Sequence, residues 1–328
     1  MRPPAPLAAR LARYLACAAC AAVAGCAAAP PAPALAPVPP TDWPAARPDA
    51  QLQAAVEAAA EGFDGVVGVY ARHLPTGRTV ALRADETFPT ASMVKVPILV
   101  GVFDRIERGD LAFDQPLAFR DSLRYGDDGL FSQLQDGATV RLHVAVEQML
   151  SASDNTASLW LQALADPHHT NDWLDGHGFA ATRVNSRTPG READYERWGW
   201  GQTTPREMAE LVRRIVDGQA VSPAADHEMH RLLTRTHYDD EAVSAIPPSV
   251  QVASKQGAVM EARSEVAYVH APSGPYVFCV ATRDQGDLRY EPDNAGYELI
   301  RRVSRVLWAA FEPGSDWRPP PGAERFRF

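Results

Sequence analysis

The sequence predicts an α+β fold: an antiparallel sheet flanked by terminal helices, with an all-helical lobe inserted. Three patterns in its 328 residues carry that expectation. Strand-like segments occur only towards the two ends of the body, around 65–83 and 250–283. The stretch between them, 90–240, repeats apolar residues mostly at helical spacing. An amphipathic helical pattern lies outside each strand group, at 50–62 and 294–311. Strands from both chain ends must then share one sheet, and the middle of the chain must leave it and return.

At the N-terminus, Arg2, Arg10 and Arg13 precede a short apolar run, 14–25, too short to span a bilayer. Residues 1–25 therefore read as a signal peptide. Val23-Ala24-Gly25-Cys26 resembles a bacterial lipobox, in which Cys26 would be lipidated and become the mature N-terminus. Plain cleavage at a small-residue site is the alternative. Ala27 after that cysteine fits outer-membrane sorting, so a periplasmic location on a lipid anchor is expected. Residues 26–48 are rich in Ala and Pro, cannot pack a core, and read as a semi-rigid tether.

The body is expected over 49–312. Leu52, Val56, Ala59 and Ala60 mark the first helix. Residues 65–73 and 79–83 form a hairpin around Pro75-Thr76-Gly77, where Gly supplies the unusual dihedral. Three more strands are expected at 250–254, 262–271 and 276–283. Leu299, Ile300, Val303, Val306 and Leu307 give the closing helix its buried face, and 313–328 reads as a loosely held tail. Cys17 and Cys20 leave with the signal peptide. Cys279 falls in an apolar run and reads as a small buried hydrophobe.

The net charge of −9 and the absence of a basic cluster argue against a nucleic-acid partner. A monomer is expected. Of 32 basic residues, only Lys95 and Lys255 are lysine. A chain that uses arginine wherever a surface cation will do has kept lysine at two places. An ammonium can lose its proton when desolvated, and a guanidinium cannot.

Both lysines lie in motifs. In Ser92-Met93-Val94-Lys95, at the start of an apolar helix, serine and lysine share a face. A hydroxyl needs an adjacent base to become a nucleophile, and a desolvated lysine supplies one. Alone, the pair reads equally as a capping serine and an incidental lysine. Ser153-Asp154-Asn155 sits between two helical patterns and, alone, reads as a capped turn. Ser254-Lys255-Gln256-Gly257-Ala258 closes a strand, with a lysine suited to a carboxylate or simply guarding an edge.

In this order and spacing the three motifs resemble the Ser-x-x-Lys, Ser-Asp-Asn and Lys-Thr-Gly set of the class A β-lactamases and their penicillin-binding relatives. The resemblance covers roughly 50–312 and implies a β-lactamase-like fold. Phe88-Pro89-Thr90 and Thr203-Thr204-Pro205 also look like the family, the latter with Glu207 as a capping box. The resemblance implies Ser92 as nucleophile, Lys95 as base and Ser153 as proton relay. It implies Asn155, Lys255 and Gln256 as substrate-binding groups. The N–H groups of Ser92 and Ala258 would form the oxyanion hole.

The family's omega loop carries a glutamate that activates water, and an ungapped alignment puts Thr188 there. Glu192, four residues on, is expected on the same face of a helical turn and is the expected substitute base, with Asp194 and Glu196 as rivals. Gln256 stands where threonine is usual. Arg263 lies near the position of a supporting arginine but one residue out of phase. The expected activity is therefore a serine hydrolase acting on β-lactams. A slowly deacylating peptidase-like relative acting on peptidoglycan peptides, or a non-catalytic envelope lipoprotein, are the alternatives.

No metal or cofactor is expected. His227-Glu228-Met229-His230 spaces its histidines three apart, not the four of a zinc-protease helix. These histidines, and His168-His169 in a loop, read as surface residues. Trp198 and Trp200 read as packing or as a substrate rim.

Overall fold

The computed structural model describes residues 42–126 and 129–327. The signal-peptide segment and Cys26 lie outside the described residues, as does most of the tether. Helix α1 (Ala50–Ala60) is followed by strands β1 (Val66–His73) and β2 (Arg78–Leu82). The helical lobe runs α2 (Lys95–Glu107), α3 (Leu142–Ser151), α4 (Asn155–Ala165), α5 (Pro167–Gly176), α6 (Glu192–Trp198), α7 (Pro205–Val216) and α8 (Pro223–Leu233). Strands β3 (Val252–Val259), β4 (Ala262–Val269) and β5 (Tyr276–Arg283) then return, and α9 (Ala295–Phe311) closes the body.

The main sheet has the order β2-β1-β5-β4-β3, all antiparallel, so the last strand of the chain pairs with the first. A two-residue piece, Arg47–Pro48, adds parallel to β2 at one edge. One face of the sheet packs on α1 and α9 through Leu52, Val56, Phe278, Leu299 and Leu307. The other face continues into the core of the helical lobe. Helix α2 passes through the middle of that lobe with every residue from Lys95 to Phe103 buried, as a helix apolar on all sides must be.

Local chemistry explains the ends. Asp49 caps α1 through Leu52 N, and Asn294 caps α9 through Gly296 N. Thr204 caps α7 through Glu207 N at 3.1 Å, but Glu207 does not close the expected box. Its carboxylate instead takes Thr182 N at 2.7 Å and Thr182 Oγ1 at 2.6 Å, tying the preceding segment to α7.

Several expectations are corrected. Strand β3 starts two residues later than expected and runs on to Val259, because polar Lys255 and Gln256 break the apolar pattern without breaking the ladder. His168 and His169 lie in the first turn of α5, where Asp166 caps and Pro167 supplies a fixed φ, rather than in a loop. His230 is half-buried, with Nε2 3.1 Å from Nε2 of His270. The C-terminal segment packs back on the body: Arg327 pairs with Glu298 at 2.8 Å and Ser315 Oγ accepts from Trp308 Nε1. Cys279 is fully buried in β5, and burial pushes its thiol pKa up.

Candidate active site

Ser92 sits in a 3-10 turn, Ala91–Val94, and Lys95 opens α2 directly behind it. Residues three apart eclipse one another in such a turn. Lys95 Nζ consequently lies 3.0 Å from Ser92 Oγ. The turn begins on Ala91 at φ 45, a left-handed value that a residue with a Cβ adopts at a cost.

Ser153 is a second such residue, at φ 56, between α3 and α4. Its carbonyl and hydroxyl oxygens lie 2.6 and 2.9 Å from Lys95 Nζ, and Asn155 Oδ1 lies at 2.9 Å. Asp154 is buried beneath them, accepting from Ala157 N at 2.8 Å and from Phe131 N at 2.9 Å. It holds the turn that aims its two neighbours.

Four oxygens thus surround one nitrogen. The Ser153 carbonyl and Asn155 Oδ1 only accept, so they claim two N–H bonds. A neutral amine then offers its lone pair to one hydroxyl, which an ammonium cannot do. Electrostatics favours the neutral form: burial holds Lys95 well below the ordinary lysine value, the Lys255 charge adds to this, and Asp154 opposes it.

Lys255 lies mid-strand in β3 rather than at its end, fully buried. Its Nζ is 3.1 Å from Ser153 Oγ, 2.9 Å from the Gln256 carbonyl and 3.0 Å from Gln256 Oε1. Burial pushes its pKa down to about 7, with Glu241 and Glu265 opposing. The Ser153 hydroxyl therefore bridges two lysines, at 2.9 and 3.1 Å.

Gly257 makes the meeting of strand and turn possible. A Cβ there would lie 2.7 Å from Thr90 O and 2.8 Å from Ser92 N. The close approach is to the backbone of the Ser92 turn rather than to a ligand. Beyond it, Ala258 and Ser92 line one cavity of about 560 Å³, together with Tyr125, Asn155, Trp198 and Trp200.

Among the described residues, neither Arg263 nor Glu192 hydrogen-bonds to the lysine cluster. Arg263 pairs in register with Ala258, on the face opposite Lys255. It is fully buried against α9, where a Cβ on Gly296 would meet its side chain at 2.6 Å, and its guanidinium donates to the carbonyls of Ala262 and Arg289. Its guanidinium lies over the ring of Tyr290, which lines the cavity. Glu192 is exposed, and its carboxylate accepts from Gly190 N at 3.1 Å. Gly190 takes φ 82 and α6 begins only at Glu192, so Thr188 and Glu192 share no helical face. Thr188 is buried, its hydroxyl donating to the carbonyls of Val184 and Ser186 at 3.1 Å. Asp194 pairs with Arg191, and Glu196 is exposed. Among the described residues, none of these three carboxylates hydrogen-bonds to the lysine cluster.

The sequence reading missed Tyr125. It lies in a loop without periodicity, yet its ring meets Trp200 edge-to-face at 5.0 Å and walls the cavity. Both tryptophans do stand at the rim.

With this geometry in hand, comparison with known proteins is direct. Residues 49–311 match the model of the beta-lactamase enzyme family. A beta-lactamase of Streptomyces fradiae is 29% identical over 278 residues, covering 79% of this chain and 85% of that protein. Among solved structures, PBP-A superposes with a TM-score of 0.74 at 25% identity, covering 83% of this chain and 99% of its own. A mutant of PBP-A is described as an acyl-enzyme complex with penicillin G. A beta-lactamase from Sphaerobacter thermophilus gives a TM-score of 0.71 at 26% identity, covering 80% and 97%.

Proposed function

This chain belongs to the beta-lactamase enzyme family, and from that membership we propose that it is a serine hydrolase that opens β-lactams through an acyl-enzyme on Ser92. The observation that carries the reading is the buried Lys95 amine, 3.0 Å from the Ser92 hydroxyl and depressed in pKa. Neutral Lys95 takes the Ser92 proton as Oγ attacks the lactam carbonyl carbon. The N–H groups of Ser92 and Ala258 receive the developing oxyanion. The Ser153 hydroxyl, already between both lysines, passes a proton to the departing lactam nitrogen. Lys255, with Gln256, meets the substrate carboxylate, and Asn155 holds the amide of the acyl arm. The beta-lactamase relatives favour a lactam over a peptidoglycan peptide.

Deacylation is the slow half-reaction in this reading. Thr188 is not a base near neutral pH, and Glu192 turns to the Gly190 amide. Lys95, neutral again once the leaving nitrogen is protonated, is the base left to activate water. Intact-mass spectrometry of residues 49–328 mixed with a penicillin tests this beside Ser92→Ala. The expected result is an adduct in the parent only, decaying slowly while penicillin is consumed in excess. No adduct, or an adduct that survives Ser92→Ala, overturns the proposal.

We further propose that the protein is exported and held at the periplasmic face of a bacterial membrane by lipidation of Cys26, with 26–48 as its tether. The lipobox pattern supports this. Labelling with a palmitate analogue, lost in Cys26→Ser, is the expected result; equal labelling of both overturns it.

A further inference from the structure

A second cavity, of about 710 Å³, adjoins the catalytic one and shares Tyr125 and Trp200 with it. One wall is the face of α6 formed by Glu192, Tyr195 and Glu196, spaced as neighbours on a helix surface. Like charges four apart on a helix repel, and only Glu192 has this offset, by the backbone amides of Glu192 and Gly190 that draw its pKa down. Among the described residues no arginine or lysine forms an ion pair with either carboxylate. Glu192 has only a backbone partner, and Glu196 has no hydrogen-bond or ion-pair partner among the described residues. Of the two flanking arginines, Arg191 is occupied by Asp194, Asn185 and Gln202, and Arg197 lies over the Trp198 ring. Tyr125 and Tyr195 leave 42% and 45% of their surface exposed here, and aromatic faces attract ammonium groups.

Arg187 also lines this cavity, exposed and without an ion-pair partner among the described residues. A purely cationic ligand would meet it as a like charge. An amino-acid terminus, ammonium plus carboxylate, satisfies both signs at once: the ammonium on Glu192 and Glu196, the carboxylate on the Arg187 guanidinium. We infer that this cavity is a subsite for a zwitterionic amino-acid end carried on the acyl arm of the substrate whose carbonyl is attacked by Ser92. The inference rests on the acyl-enzyme reading above, and it adds what kind of arm the enzyme prefers.

The test uses two penicillins that differ only at the arm's end, one with a 5-amino-5-carboxypentanoyl arm and one with a pentanoyl arm. The acylation rate constant of the full chain is measured for each by intact mass, with the parent, Glu196→Gln and Arg187→Gln. Charge-assisted pairs at an exposed site predict a preference of about tenfold for the zwitterionic arm. Each variant should reduce that preference towards parity while leaving the pentanoyl penicillin unchanged. The preference should also shrink on going from low to high salt, as exposed charge pairs are screened. Parity in the parent, or variants that slow both penicillins equally, overturns the subsite and leaves the acyl-enzyme intact. Labelling of Ser92 by neither penicillin overturns both.

Discussion

The walls on either side of Tyr125 and Trp200 handle charge in opposite ways. On the Ser92 side both lysines are fully buried, and four oxygens crowd one amine at 2.6 to 3.0 Å. On the α6 side two carboxylates stand in solvent with no ion-pair partner among the described residues. The dry wall shifts pKa values through desolvation, which is what proton transfer at neutral pH needs. The wet wall keeps its charges solvated and available, which suits recognition. In the proposed reading, chemistry and selection are separated by the degree of burial of neighbouring side chains.

Perturbing the dry wall should give the largest effect. Lys95→Ala removes the base, and the acylation rate constant should fall about 10²–10⁴-fold, as for other positioned bases. Adduct formation followed by mass measures it. A loss below tenfold would mean that Lys95 is not the base.

Next comes Gly257→Ala. Its Cβ would press on Thr90 O and Ser92 N, so the strand must retreat and spoil the oxyanion donors. Losing such a donor typically costs about 10²–10³-fold. Acylation kinetics beside a thermal melt separate this from global unfolding.

The third effect is a pH dependence of about tenfold per pH unit. Lys255 sits at about 7 in the folded protein, below the ordinary 10.5, so above about pH 7 it loses the charge that would attract a substrate carboxylate. The acylation constant should therefore fall as pH rises past 7. Stability should move the other way. The unfolded chain binds more protons between about pH 7 and 10.5, so this group's penalty is full below 7 and fades as pH rises through that window. Urea titrations of the parent and Lys255→Met across the window check the sign.

The smallest effect belongs to the wet wall. Glu192→Gln should change acylation and deacylation of a penicillin with an uncharged arm by less than about twofold, since exposed surface substitutions rarely do more. A tenfold slower deacylation would restore Glu192 as the water-activating base.

The sequence made the cleft legible because its chemistry is local. Ser92 and Lys95 are three residues apart, and a pair of lysines stands out in an arginine-rich chain. The order of the long strands and helices was equally plain from periodicity. The short strands Phe88–Pro89, Pro116–Ala118, Thr139–Arg141, Arg183–Val184 and Gly201–Thr203 within the helical stretch were too brief to show a period. What could not be read depends on one residue's dihedral or one step of register. Gly190 at φ 82 turned Glu192 away from Thr188, and pleating sent Arg263 to the α9 face. The run-on of β3 to Val259 was hidden because buried polar residues look like a strand's end. The docking of 313–327 rests on single long-range pairs such as Arg327 with Glu298, which leave no pattern in sequence.

The contact at Gly257 has a practical consequence for anyone handling the protein. The nucleophile's backbone rests against a strand of the main sheet with no room for a single methyl group. The reactive serine is therefore keyed to the same joint that unites sheet and helical lobe, and cannot stay competent if the two part. A fluorescent penicillin that labels Ser92 would then act as a thermometer of the whole body. Its labelling midpoint on heating should coincide with the melting of the sheet, and a gap between the two would reveal a hinge in that joint.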